Sequence, residues 1–183
     1  MRLLAPTTAP PLELLDVNDQ PIVIAGQGRK TLLSFFREAN CPFCNFRVYE
    51  LTHNYTNLSS LGLDIVAVFS SNRSDVMKFI ARQPRPFQMV ADPDSEAHHR
   101  FGIERSLWGK LKAMMTRIPA MVRGMRIVGL AGMNTGSLMP ADFLIDETGR
   151  IVETYYGTDA GDHIPIERIE LFLARGLASR KAA

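Results

Sequence analysis

Thr31-Leu32-Leu33-Ser34-Phe35-Phe36-Arg37-Glu38-Ala39-Asn40-Cys41-Pro42-Phe43-Cys44-Asn45 holds both cysteines of the chain. Residues 31–36 have the apolar, aromatic and β-branched make-up of a buried strand, and the run after the cysteines has helical periodicity. The pair therefore falls where a strand hands over to a helix. With Cys41 as N-cap and Pro42 at the first helical position, the missing proline N–H costs nothing. The Cys41 thiol then faces the positive end of the helix dipole, which favours thiolate. Cys44, one turn on, is placed to attack a mixed disulfide at Cys41, so the two can cycle between dithiol and disulfide.

Blander readings compete. A zinc site would need two more ligands, and His53, His98, His99 and His163 are scattered. Two inert core cysteines, or a disulfide across so short a loop, remain as further alternatives. We expect no metal and no cofactor.

The 183 residues fit a single domain, 46% are apolar and 22% charged, and the net charge of +2 makes no case for nucleic acid. Met1-Arg2-Leu3-Leu4-Ala5-Pro6 breaks too soon for a signal-peptide core, and no run reaches the length of a membrane span, so a cytoplasmic protein is expected.

Outward from the cysteines, residues 1–11 read as an extended arm, and Leu12–Val17 and Pro21–Ile24 as two short strands around Asn18-Asp19. A linker follows at 26–28. Val48, Leu51, Tyr55 and Leu58 form the inward stripe of a helix stopping at Gly62. Leu63–Phe69 has the continuous apolar character of a parallel strand covered on both faces. A short helix through Val76, Phe79 and Ile80, a strand at Phe87–Val90 and a helix opened by Asp92-Pro93-Asp94-Ser95 come next, with His98 and His99 expected on its surface. Ala141–Ile145 and Ile151–Tyr156 read as a hairpin, and a final helix starts near Pro165, carries Ile166, Ile169, Phe172 and Leu173 inward and ends in a basic run. This order describes an α/β fold with a mixed sheet.

The order of elements, with Cys-Pro-Phe-Cys after the first long strand, resembles the thioredoxin fold. Ala5-Pro6 through Pro21-Ile22-Val23, Phe87 to Ile103, and Pro140-Ala141-Asp142-Phe143-Leu144-Ile145-Asp146-Glu147-Thr148-Gly149-Arg150-Ile151 resemble its peroxiredoxin-like branch, the AhpC/TSA family. The resemblance implies a single thioredoxin-like domain over 1–183, with a helical segment at 104–135 inserted before the C-terminal ββα unit. It also implies a thiol-dependent oxidoreductase in which Cys41 attacks, Cys44 resolves, and Pro42 and Phe43 line the substrate's approach. Pro140 matches the family's cis-proline, which would leave the backbone of Met139 as a pairing edge for a substrate peptide. The implied partners are a thioredoxin- or glutathione-type thiol donor and a disulfide or peroxide substrate.

The departures matter too. Aligning Cys44 with the peroxidatic cysteine puts Cys41 where peroxide-reducing members carry Thr or Ser. Pro140 lies near the region where many peroxiredoxins place the arginine that helps hold the thiolate, leaving Arg37 either as its substitute or as a solvated loop residue. Thioredoxin's buried carboxylate corresponds to Ser34, so Glu38 or water would take the proton released on resolution. Thiol-disulfide exchange is the first expectation, a peroxidase working through a sulfenic acid the alternative.

Between Arg105 and Ala141 there is no acidic residue, while Arg105, Lys110, Lys112, Arg117, Arg123 and Arg126 are basic. Leu107, Leu111, Met114, Met115 and Ile118 form a stripe at helical spacing, with Ser106 as N-cap, Trp108 at the border and Pro119 restarting the helix. This predicts two short amphipathic helices, either a lid packed on the domain or a surface for a partner. A second copy ranks ahead of a membrane surface contacted through 105–128. In a different class altogether, the chain would be a non-catalytic binding module using this segment.

Overall fold

The strand leading to the cysteines, β2 (Lys30–Phe36), is buried on both faces: Leu32, Leu33, Phe35 and Phe36 expose nothing to solvent. A strand so enclosed needs neighbours on each edge and a layer on each face. Both are present in this computed structural model, which describes the chain except residues 23, 25–27, 83, 130–134 and 182–183, and only the backbone of 176–181.

On one edge β2 pairs in parallel with β3 (Leu63–Phe69), Leu33 opposite Val66, and β3 in parallel with β4 (Gln88–Ala91). On the other edge β2 runs antiparallel to β5 (Ala141–Ile145), with Ser34 opposite Asp142. Beyond it lie antiparallel β6 (Arg150–Tyr156) and the two-residue β1 (Thr7–Thr8). The order β1-β6-β5-β2-β3-β4 makes one mixed sheet of six strands. A hairpin joins β5 to β6, whereas the β2-to-β3 parallel step needs a crossover helix. That helix is α1 (Pro42–Ser60), the one that starts at the cysteines.

One face of the sheet, with Leu32, Phe36 and Leu144, packs on Val48, Leu51 and Leu58 of α1, Val76 of α2 (Arg73–Phe79), and Ile169 and Leu173 of α6 (Ile166–Lys181). The other, with Leu33, Phe35 and Phe143, packs on Ala97 of α3 (Glu96–Arg100), on Phe101 and on the N-terminal arm. Asn72 caps α2, its side chain accepting from Asp75 N–H at 2.8 Å, and α1 ends at Leu61 before Gly62, whose φ of +90° favours glycine.

Several expectations are corrected. Among the described residues of 12–24 no strand forms: Asp16 turns the chain by accepting from the Asn18 and Gln20 N–H groups, and isolated bridges run from Leu15 to Pro21 and from Asp16 to Val90. Val23 and most of the 26–28 linker lie outside the described residues. His98 is not at the surface. It is 1% exposed, with Nδ1 at 2.6 Å from Asp92 Oδ2 and Nε2 at 2.8 Å from the Phe36 carbonyl, while His99 is exposed as expected.

The 104–135 segment supplies α4 (Leu107–Thr116) and α5 (Ile118–Val128). Ser106 caps α4, accepting from Gly109 N–H at 3.0 Å. The helices do not pack through the apolar stripe. Small residues face the domain instead: Gly109, Ala113 and Gly124 are buried, while Leu107, Met115 and Ile118 point to solvent. A Cβ at Gly124 would lie 1.9 Å from the Pro42 carbonyl oxygen, so α5 rides directly on the first turn of α1. Arg117 pins the corner between the helices through Asp159 at 2.7 Å and Asp162 at 3.2 Å.

Phe143 joins the second core through ring contacts to Phe101 at 5.0 Å, Tyr156 at 5.5 Å and Phe35 at 5.8 Å. Phe143→Ala should lower the urea midpoint with little change in slope, a loss of about 3–5 kcal/mol; a loss below about 1 kcal/mol would contradict this packing.

Candidate active site

The turn from β2 into α1 is tied from three sides. His98 holds the Phe36 carbonyl, Ser71 Oγ accepts from Ala39 N–H at 2.9 Å, and Asn45 Nδ2 donates to the Ala39 and Cys41 carbonyls at 2.7 and 3.0 Å. Cys41 is the N-cap in extended conformation (φ −68°, ψ 126°) with Pro42 after it. At the first turn of α1 the Cys44 backbone N–H faces the Cys41 sulfur and helps to lower its pKa. Both cysteines are free thiols with no solvent exposure.

Arg37 supplies the missing charge. It is 1% exposed, and one Nη donates to Cys41 Sγ at 3.2 Å while the other reaches Thr135 Oγ1 at 3.3 Å and the Gly136 carbonyl. Of the two readings of Arg37, the solvated loop residue is therefore set aside. Burial alone would push both thiols up. At Cys41 the hydrogen bond from the Cys44 thiol and the Arg37 charge outweigh it and bring the pKa down to about 6, whereas Cys44, donating to Cys41 and facing its charge, is pushed well above the ordinary range. The two shifts run in opposite directions, so Cys41 is the more acidic thiol of the pair.

Glu38 does not support that thiolate: its charge raises the Cys41 pKa and stabilises Arg37 instead. Its Oε1 accepts from Gly136 N–H at 2.9 Å, so Arg37 and Glu38 together grip the chain after α5.

Met139 and Pro140 depart from expectation. Among the described residues the cis peptide bond is Ala5–Pro6, and Met139–Pro140 is trans. The Met139 N–H donates to the Glu104 carbonyl at 3.0 Å, and the Pro140 carbonyl accepts from Gly157 N–H at 2.9 Å. Their side of the site is covered by α4, where a Cβ at Gly109 would come within 2.6 Å of Met139 Sδ. The main-chain edge anticipated for a substrate peptide is already paired within the chain.

Pro42 and Phe43 instead form the floor of a cavity of about 190 Å³ under the helical segment, walled by Arg37, Met114, Met121 and Met125 and edged by Lys110 and Thr135. The Lys110 ammonium donates to the Thr135 carbonyl. The cavity is largely apolar, and Arg37, which borders it, is the residue that donates to the Cys41 sulfur.

Below the turn sits a carboxylate that sequence reasoning missed. Ser34 stands where thioredoxin has its buried acid, and its hydroxyl donates across the ladder to Asp142 Oδ1 at 2.5 Å. Asp142 also meets His163 Nδ1 at 3.0 Å and accepts from Ile164 N–H at 2.8 Å. Burial would raise its pKa, but His163, Arg47 and Ser34 hold it below the usual carboxylate range. The signal was Asp142 itself, an acid inside the apolar run 141–145. Among the described residues no group of three or more His, Cys, Asp or Glu side chains could hold a metal.

Thiolate ultraviolet absorbance of Cys44→Ser, whose hydroxyl can still donate, should titrate below the ordinary thiol value of about 8.5. Arg37→Met should move it upward toward the ordinary thiol value of about 8.5; a midpoint insensitive to Arg37 would refute the guanidinium's part.

The AhpC/TSA family model matches residues 6–154. Peroxiredoxin Bcp of Escherichia coli is 24% identical over 117 residues, 62% of this chain and 75% of that one. Among solved structures, peroxidoxin BcpB of Mycobacterium tuberculosis superposes with a TM-score of 0.65 at 15% identity, covering 93% of this chain and 96% of the other. A Xanthomonas campestris bacterioferritin comigratory protein, described for its alkyl peroxide reduction activity, gives 0.61 at 14%, covering 92% and 91%. These structures share the thioredoxin-like fold. With the family model spanning most of the sequence, the chain belongs to the AhpC/TSA family of peroxiredoxins and is a thiol-dependent peroxidase or oxidoreductase.

Proposed function

We propose that the chain reduces organic hydroperoxides, with Cys41 as the nucleophile and Cys44 as the resolving thiol. The observation that carries this is the buried Arg37 guanidinium, which donates to the Cys41 sulfur on one side and borders an apolar cavity on the other. The Cys41 thiolate attacks the terminal oxygen of R–O–O–H; the O–O bond breaks, giving Cys41–SOH and RO⁻, which takes a proton from water. The Cys44 sulfur then attacks the sulfenic sulfur, its thiol proton leaves with the hydroxyl as water, and a Cys41–Cys44 disulfide forms. A thioredoxin- or glutathione-type donor returns the dithiol by thiol-disulfide exchange.

Exchange with a protein disulfide, the first expectation from sequence, fits the family equally; the engaged Met139 N–H removes only the main-chain edge anticipated for a substrate peptide. In this reading the chain acts as a single domain over 1–183 with the 104–135 segment as a lid, in the cytoplasm. Among the described residues no helix is long and apolar enough to cross a membrane. Contact with a second copy would concern the outer face of the lid and not the cysteines.

Stopped-flow mixing with cumene hydroperoxide should oxidise the protein at least about tenfold faster than free cysteine, a barrier difference of about 1.4 kcal/mol. Arg37→Met should slow it by about 10²–10³-fold. Cys44→Ser should consume one peroxide and stop, and Cys41→Ser should not react. A wild-type rate no faster than free thiol, or turnover undiminished in Cys41→Ser, would reject the proposal; a double Ser variant with full biological activity would favour a binding module.

A further inference from the structure

The outward face of α4 and α5 has a composition that packing does not explain. Leu107 is 76% exposed, Trp108 75%, Met115 71% and Ile118 52%, with Leu111 and Val122 also in solvent. Leu107, Leu111 and Met115 recur every fourth residue, so they form one stripe of α4, continued past the Arg117 corner by Ile118 and Val122 of α5. On the inner side Gly109, Ala113, Gly124 and Val128 are buried and Met121 packs on the core, which leaves Leu107, Trp108, Leu111, Met115, Ile118 and Val122 outside. Contiguous exposed apolar surface of this kind marks an interaction site.

The charges around it bear on the partner. Arg105, Lys112, Arg123 and Arg126 are exposed and none is paired with a carboxylate among the described residues, although Arg123 lies over the Phe46 ring at 5.6 Å and borders a cleft with Arg126 and Tyr49; no acid occurs from Arg105 to Ala141. Arg117 is the exception, neutralised by Asp159 and Asp162. A second copy fits poorly, because a two-fold interface sets the same patch against itself and would oppose four unpaired cations to four more. A surface that is apolar at depth and negative at its boundary complements both features. Short amphipathic helices with Lys and Arg flanking Leu, Met and Trp lie in such interfaces, with the indole at headgroup level.

We infer that the outer face of α4–α5 docks the protein on anionic lipid bilayers, the apolar stripe entering the interface and the exposed cations meeting the headgroups. Neither helix spans the membrane; the contact is peripheral and reversible. The inference stands apart from the peroxidase proposal, since it uses no group that touches the cysteines.

Trp108 is the sole tryptophan, so its emission reports the contact directly. The full chain is titrated with vesicles of phosphatidylcholine alone and of equal parts phosphatidylcholine and phosphatidylglycerol, with co-sedimentation in parallel. The expected result is a blue shift and sedimentation with the phosphatidylglycerol vesicles only, reversed at about 1 M salt, where the screening length falls to roughly 3 Å. Arg123→Glu/Arg126→Glu, at exposed positions, should weaken binding at least about tenfold with an unchanged circular dichroism spectrum. Leu107→Ser/Met115→Ser should weaken it while leaving the peroxide oxidation rate in solution unaltered. No shift with either vesicle, an equal shift with phosphatidylcholine alone, or the same shift with polyglutamate would overturn the inference. So would a concentration-dependent shift without lipid accompanied by a dimer mass in sedimentation velocity, which would assign the face to a second copy.

Discussion

The contact on which the rest of the site depends is the one between the Arg37 guanidinium and the Cys41 sulfur. Neither group is cheap to bury alone. A thiolate without a counter-charge would take up a proton, and a guanidinium without acceptors would carry a large desolvation cost. Together, at 3.2 Å and with the Gly136 carbonyl and Thr135 hydroxyl taking further N–H groups, each offsets the other's cost. The guanidinium lowers both thiols, and the hydrogen bond between the two sulfurs splits them, bringing Cys41 down and pushing Cys44 up.

The surrounding structure serves to hold that contact in place. Arg37 leaves the end of β2, whose register is set by β3 and β5, and the carbonyl just before it is held by His98. On the solvent side, α5 lies against Pro42 so closely that only glycine fits at 124, and Arg37 and Glu38 bind the chain that follows. The chain after α5 and the turn bearing the cysteines therefore share hydrogen bonds, so covering the Cys41 sulfur and positioning the arginine go together. Excluding water in this way strengthens the interaction between the charges within.

Most of the architecture was legible in the sequence because it rests on local periodicity. The apolar run of Leu63–Phe69, the stripe of Val48, Leu51 and Leu58, the Ser106 cap and the 146–150 turn each state their own element. What escaped were features decided by partners distant in the chain. His98 looked like a surface residue because the Phe36 carbonyl that receives it lies 62 positions away. Asp142 supplies a buried carboxylate at Ser34 only through strand pairing, which residue spacing does not reveal. The spacing of the α4 stripe fits core and partner surface alike; Gly109, Ala113 and Gly124 face the domain, so Leu107, Leu111, Met115 and Ile118 lie in solvent while Met121 and Met125 turn inward. Pro140 carried an analogy of position, and its trans bond and the engaged Met139 N–H show where that analogy ends.

The central claim is that Cys41, and not the cysteine one turn later, is the residue a peroxide oxidises. Trapping the sulfenic acid with dimedone after one equivalent of hydroperoxide, in the Cys44→Ser and Cys41→Ser variants separately, followed by mass spectrometry, tests this most directly. The account predicts a stoichiometric adduct on Cys41 in the first variant and none on Cys44 in the second. An adduct on Cys44, with Cys41 unmodified when it stands alone, would contradict it.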